Sequence, residues 1–294
     1  MIEYLRILRF GDLYKNIIIL VPLIITGGLE NKSYIIEFLE GFLTLSIINL
    51  LCYLINDFTD QKIDKINKLK KYKRIIKQKF IFLLIVLFFL ALFFLFIFDL
   101  YKNIFIYAYL LNFFLYNFLI KKIKILDIIF LTNFYIIRIL FGSNIFDTDL
   151  TIGFLLFFIF LFLGLSLSKR IIQIQINNLK IGNTIIKYSL NDQHKFLISI
   201  IFFFTMSILI FCLYLLNNFY FDYIYLNLFQ KTTFSLDVLL ILFLFFSVSV
   251  IRMIYQIKKK IIQIDLYKFF LNDKFNYIII LIVITYALVK IYFY

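Results

Sequence analysis

The stretch Asn56-Asp57-Phe58-Thr59-Asp60-Gln61-Lys62-Ile63-Asp64 sets three carboxylates at i, i+3 and i+7 at the end of a long apolar run. If a helix continues through it, all three lie on one face. Like charges at that spacing repel, so the face costs stability unless cations sit against it. Hard divalent cations take oxygen ligands, and Mg²⁺ typically uses one or two carboxylates together with substrate phosphates. The spacing therefore points to Asp57, Asp60 and Asp64 as Mg²⁺ ligands, with Asn56 beside them, holding a soluble diphosphate against a lipid-soluble partner. The plainer alternative is a solvated acidic helix end, balanced by the nine basic residues between positions 56 and 79.

Two more ionisable groups, Asp127 and Arg138, fall in the apolar run 125–143. Charges at that depth are costly and usually functional. Eleven residues is close to three helical turns, so the two share a face. An interhelical ion pair is the structural alternative.

The elements that must hold these groups are membrane helices. The chain is 64% hydrophobic and 16% charged, whereas soluble domains run near half apolar and a quarter charged. Its own core cannot cover that much apolar surface. Crossing a bilayer takes roughly 20 apolar residues per helix, and lipid-facing backbone must be helical to satisfy its polar groups. Nine runs qualify: about 16–29, 37–55, 80–98, 103–120, 125–143, 151–168, 196–217, 236–254 and 276–293. The expected fold is all-α, a polytopic bundle of nine transmembrane helices forming one domain over 1–294. The first run, from Asn16 to Gly28, follows basic residues but lacks a small-residue cleavage site, so it reads as a retained span. Carrying Pro22, it is expected to tilt or kink.

With the N-terminus inside, 26 of the 31 Lys and Arg residues fall on the cytoplasmic side, against Lys32, Lys102, Lys231 and Lys290 outside. That bias orients the chain. It accounts for the net charge of +14 without nucleic acid, for which no motif appears. It also directs the site toward the cytoplasm, in the plasma (inner) membrane. Cys52 and Cys212 lie far apart in apolar runs and form no disulfide or metal pattern. His194 falls in a polar loop, where a lone histidine reads as solvated.

Asn56-Asp57-x-x-Asp60-x-x-x-Asp64 after the second of nine helices resembles the first aspartate motif of the UbiA superfamily of intramembrane prenyltransferases. In that family the motif binds a diphosphate through Mg²⁺. Further landmarks resemble its decaprenyl-phosphate phosphoribosyltransferase branch: Leu8-Arg9-x-x-x-x-Tyr14-Lys15-Asn16 before Val21-Pro22-Leu23, Tyr116-x-x-x-x-Lys121-x-x-x-x-x-Asp127 before Arg138 and Gly142, and Ser168-Lys169-Arg170-x-x-Gln173. Ile251-Arg252-x-x-Tyr255 and Leu271-Asn272-Asp273-Lys274 continue the likeness toward the C-terminus. Departures are Asn67-Lys68 in place of His-Pro, and Gln173 in place of Glu. The second aspartate motif of the aromatic-acceptor members is absent, since Lys169–Lys195 holds one acid, Asp192.

The resemblance implies transfer of 5-phosphoribose from phosphoribosyl diphosphate to a polyprenyl phosphate in the lipid bilayer, with release of pyrophosphate. Asp57, Asp60 and Asp64 would bind Mg²⁺. Asp127 would be a second metal ligand or a ribose-hydroxyl partner, opposite the three acids across one cavity, and Arg138 a phosphate or structural partner. Lys15, Asn56, Lys73, Arg74, Tyr116, Lys121, Lys169 and Arg170 would bind substrate. The alternative enzyme is a prenyltransferase with a prenyl diphosphate donor and an aromatic or other small acceptor. A transporter is the non-enzyme alternative. It would spread polar residues along several spans, whereas Asn112, Asn133, Asp127 and Arg138 gather on two.

Overall fold

The computed structural model describes residues 7–26, 32–61, 75–178, 188, 190–219 and 236–259. Among them there is no strand, and nearly all are helical. The chain forms two compact units, 1–150 and 151–294.

The first unit opens with an 11-residue 3-10 helix, Phe10–Leu20, which passes directly into α1, Val21–Thr26. It continues with α2, Lys32–Thr59; α3, Lys77–Ile97; α4, Ile104–Phe118; and α5, Leu126–Ile145. The 3-10 helix packs against both α2 and α5, α3 against α2, and α4 against α5. Its core gathers Ile19, Leu45, Ile48, Cys52, Tyr109 and Phe141. Outward, α3 shows Phe89 and Phe96, each 64% exposed. In water that surface would be a liability, whereas in lipid it is ordinary.

Local sequence explains several boundaries. Asn103 caps α4, its Oδ1 accepting from the Phe105 amide at 3.0 Å, as short polar side chains do at helix starts. Asp99 and Asp147 hold left-handed backbone at φ 52° and 48°, a conformation aspartate tolerates. Ile125, just before α5, also has a positive φ, 70°, but with ψ −51°, outside the left-handed helical region. For a β-branched residue this is a strained geometry.

The second unit contains α6, Ile152–Asn178; α7, Leu190–Phe219; and α8, Leu236–Lys258. α7 packs on both α6 and α8. Gly164 permits close packing there, because a Cβ would meet the Phe204 ring at 2.7 Å.

Among the described residues, five helices are long and apolar enough to cross a membrane: Ser33–Thr59, Lys77–Ile97, Leu126–Ile145, Ile152–Gln175 and Asp192–Leu216. They match the second, third, fifth, sixth and seventh expected runs. The fourth run folds as the shorter apolar helix Ile104–Phe118, and helix α8 covers the eighth. The described part of the first run, 16–26, is divided between the 3-10 helix and α1. The ninth, at 276–293, lies outside the described residues. Two expected loops are partly helical. α6 carries Lys169 and Arg170 on its extension beyond the sixth run, and α7 includes His194, which is exposed on a helix rather than in a loop.

Candidate functional site

The 3-10 helix positions the site. With three residues per turn, side chains at i and i+3 eclipse one another. Arg9, Asp12 and Lys15 therefore stand along one ridge, at and just after the start of the helix, and Asn16 and Ile19 along the adjacent one. The charged ridge forms a ladder: Lys15 Nζ lies 2.8 Å from Asp12 Oδ1, and Arg9 Nη1 lies 4.0 Å from Asp12 Oδ2. Asn16 and Ile19 are fully buried.

Arg9 reaches from this ladder to the end of α2. Its Nε donates to Asp57 Oδ2 at 2.8 Å, and its Nη2 donates to Asp57 Oδ1. Such a two-pronged contact is the strongest form of guanidinium–carboxylate pairing. Burial alone would lower the Arg9 guanidinium, but the Asp57 carboxylate and then Asp12 outweigh it and hold it above its ordinary value.

The helical bonding of α2 carries on past Thr59, with the Asp60 amide donating to the Asn56 carbonyl at 2.9 Å. Asp57 and Asp60 thus keep helical spacing. Asp60 is held from another element: Lys121 Nζ, after α4, lies 2.5 Å from Asp60 Oδ1. The same ammonium donates to Asn117 Oδ1 at 2.9 Å, and Thr59 Oγ1 stands 3.4 Å from that oxygen while its nearer acceptor is the Asn56 carbonyl at 3.0 Å. Asp60 is 13% exposed and Lys121 18%. This pair therefore matters more than surface ion pairs, whose median contribution is about 0–1 kcal/mol.

Arg9, Lys15 and Lys121 balance Asp12, Asp57 and Asp60, so this set of side chains carries no net charge. It has no surplus attraction for a polyanion. A divalent cation at Asp57 and Asp60 would make the set positive and release Arg9 and Lys121 toward phosphate. Two helically spaced carboxylates are oxygen donors of the type Mg²⁺ takes, but Arg9 occupies both oxygens of Asp57 and Lys121 one of Asp60, so the metal would have to displace these cations. Among the described residues no group of three or more His, Cys, Asp or Glu side chains comes together. Asp64, Lys73 and Arg74, expected to join the site, lie outside the described residues.

Arg138 is placed differently from Asp127. Although they share α5, Asp127 is not its counter-ion. Arg138 is 3% exposed, and among the described residues no carboxylate pairs with it. Instead Nε donates to Asn16 Oδ1 at 2.9 Å, Nη2 to the Tyr109 hydroxyl at 2.9 Å, and Nη1 to the Phe134 carbonyl at 2.7 Å. The rings of Tyr109 and Tyr135 stand 5.1 and 5.6 Å from the guanidinium. Asn49 Nδ2 donates to Asn16 Oδ1 at 2.5 Å, and Asn16 Nδ2 to Ser46 Oγ at 2.9 Å. These neutral dipoles and ring faces solvate a buried cation. The hub ties the 3-10 helix, α2, α4 and α5 together. Of the two roles expected for Arg138, this packing favours the structural one.

Asp127 occupies the first turn of α5 with no exposed surface. Tyr116 makes an edge contact with Phe134, ring centroids 5.8 Å apart. Asn56 lies in the last turn of α2. In the second unit, Arg170 Nη1 donates to Gln173 Oε1 at 2.6 Å, and Lys169 is exposed beside it. The structural partners that motif reading does not supply are Arg9 and Asp12 as ion-pair residues, Asn117 as a Lys121 acceptor, and Asn16, Asn49 and Tyr109 around Arg138. A spacing of three in Arg9, Asp12 and Lys15 was the available signal for the first pair. Nothing local signals the others.

No family model matches the chain. An uncharacterised protein, y4nM of Sinorhizobium fredii, is similar to it, with 23% identity over 174 residues that cover 57% of this chain and 34% of y4nM. The chain thus spans about a third of the length of this curated relative.

Proposed function

We propose that this protein is a membrane transferase of the UbiA superfamily that moves 5-phosphoribose from phosphoribosyl diphosphate to a polyprenyl phosphate, releasing pyrophosphate. The observation that carries this reading is the pair of α2 carboxylates, each held by a cation delivered from another element: Arg9 on Asp57 and Lys121 on Asp60. Acids for a metal and cations for phosphates occur in one place. The nine-helix topology, the plasma membrane and a cytoplasm-facing site belong to the same proposal.

Asp57 and Asp60 would hold Mg²⁺, which supplies charge neutralisation for departing pyrophosphate. Arg9 and Lys121 would bind phosphate oxygens of the donor. The bond from ribose C1 to the diphosphate oxygen breaks, and its electron pair leaves with pyrophosphate. An oxygen of the lipid phosphate forms the new bond to C1. That oxygen is already anionic, so no strong general base is required.

The experiment is a donor comparison on purified protein with Mg²⁺, reading pyrophosphate release. Phosphoribosyl diphosphate with a polyprenyl phosphate should be consumed, and Asp60→Asn should abolish turnover. Consumption of a prenyl diphosphate instead would defeat the phosphoribosyl reading and leave only the superfamily. Consumption of neither would defeat the enzyme reading.

A further inference from the structure

Asn117 lies in the last turn of α4, four residues before Lys121, and is 2% exposed. Its amide is oriented by its neighbours. Oδ1 accepts from Lys121 Nζ at 2.9 Å. Flipping the amide would set its N–H₂ group against an ammonium, which cannot accept a hydrogen bond. Nδ2 is therefore the amide's other terminal atom, and it is a buried donor with no hydrogen-bond partner among the described residues. Leaving such a donor unsatisfied costs stability, and native structures do so rarely.

The surroundings narrow what the donor is for. It belongs to the same small group as Lys121 and Asp60, which are 2.5 Å apart. A neutral acceptor would satisfy the amide but make no use of the ammonium beside it. An anionic oxygen would use both. We propose that Asn117 is a binding residue for a phosphate oxygen of the diphosphate substrate, with Nδ2 donating to an oxygen that Lys121 neutralises. The proposal rests on the reading of the α2 acids as a diphosphate site, and it adds a hydrogen-bond donor to a set so far made of charges.

The test is binding of inorganic pyrophosphate, with Mg²⁺, to the full-length protein in detergent, measured by calorimetry. Asn117→Leu removes the donor, and its affinity should fall on the order of tenfold or more, as expected for a hydrogen bond to a charged group. Asn112→Leu is the control, because it removes another buried amide of α4, one that donates to the Phe130 carbonyl outside the site, so its affinity should stay within about twofold. Unchanged affinity in Asn117→Leu overturns the proposal. So does an equal loss in Asn112→Leu, which would mean that the fall reports a loosened α4 and not a lost donor. If Asn117→Leu does not fold, Asn117→Asp keeps an oxygen toward Lys121 and Thr59 while replacing the donor, and unchanged affinity there is equally fatal. If the unaltered protein binds no pyrophosphate, the diphosphate-site reading itself falls, whatever the variants do.

Discussion

Gly142→Ala opposes two effects of known sign. Gly142 is buried within α5, where alanine is favoured over glycine by about 1 kcal/mol on helix propensity alone. Against that, a Cβ would meet the Ile19 carbonyl carbon at 3.0 Å and its Cα at 3.2 Å, with the carbonyl oxygen closer still. All three are backbone atoms, so no side-chain rotation relieves the collision and the 3-10 helix must retreat from α5. Asn16 sits one 3-10 turn before Ile19 and would move with it, stretching its 2.9 Å bond from Arg138. Overpacking costs about 1–3 kcal/mol, and loss of a hydrogen bond to a charged group about 1.5–3 kcal/mol. Together these exceed the propensity gain, and a net destabilisation of about 2–5 kcal/mol is expected. The chain has no tryptophan, but Cys52 is 2% exposed in the same core as Ile19 and Phe141. In a Cys212→Ser background, a thiol-reactive fluorogenic dye therefore follows unfolding of this core through one group. Gly142→Ala should lower the labelling midpoint by several degrees. A midpoint equal to or above that of the parent would refute the close approach.

Arg138→Lys should destabilise the same core by about 1.5–3 kcal/mol, because one ammonium cannot reproduce the planar fork that reaches Asn16 and Tyr109 together; an unshifted labelling midpoint would rule out the hub. Ile125→Gly should raise stability by about 1 kcal/mol, since relief of a strained φ of 70° exceeds the entropic cost of glycine. Thermal unfolding of the variant in detergent checks the sign, and a fall would mean that the exposed Ile125 side chain contributes more than its backbone strain removes.

Much of the helical framework was legible because the signals are local. A run of apolar residues needs no partner to declare itself, and the helices over 77–97, 126–145 and 190–219 follow such runs closely. The 3-10 helix was not legible as such: Asn16 to Gly28 is apolar enough to pass for a short span, and composition does not separate three residues per turn from 3.6. The site was half legible. Asp57 and Asp60 announce themselves by spacing. Their cations come from Arg9, 48 residues before Asp57, and Lys121, 61 residues after Asp60, so only the fold pairs them. Arg138 shows the limit of helical arithmetic. Sharing a face with Asp127 did not make a pair, because the guanidinium extends toward Asn16, 122 positions away in the chain.

The ridge that carries Arg9, Asp12 and Lys15 also constrains how this segment can change in length. With three residues to the turn, adding or removing one residue between Asp12 and Asn16 rotates the two ends relative to each other by about 120°. Asn16 is held by Arg138 and Ser46, so the rotation would fall on the charged end and swing it away from Asp57. A change of three residues would preserve the facing but shift the ladder along the axis by about 6 Å, beyond the reach of a 2.8 Å contact. The segment acts as a gauge block, whose length and phase are both fixed by what it joins.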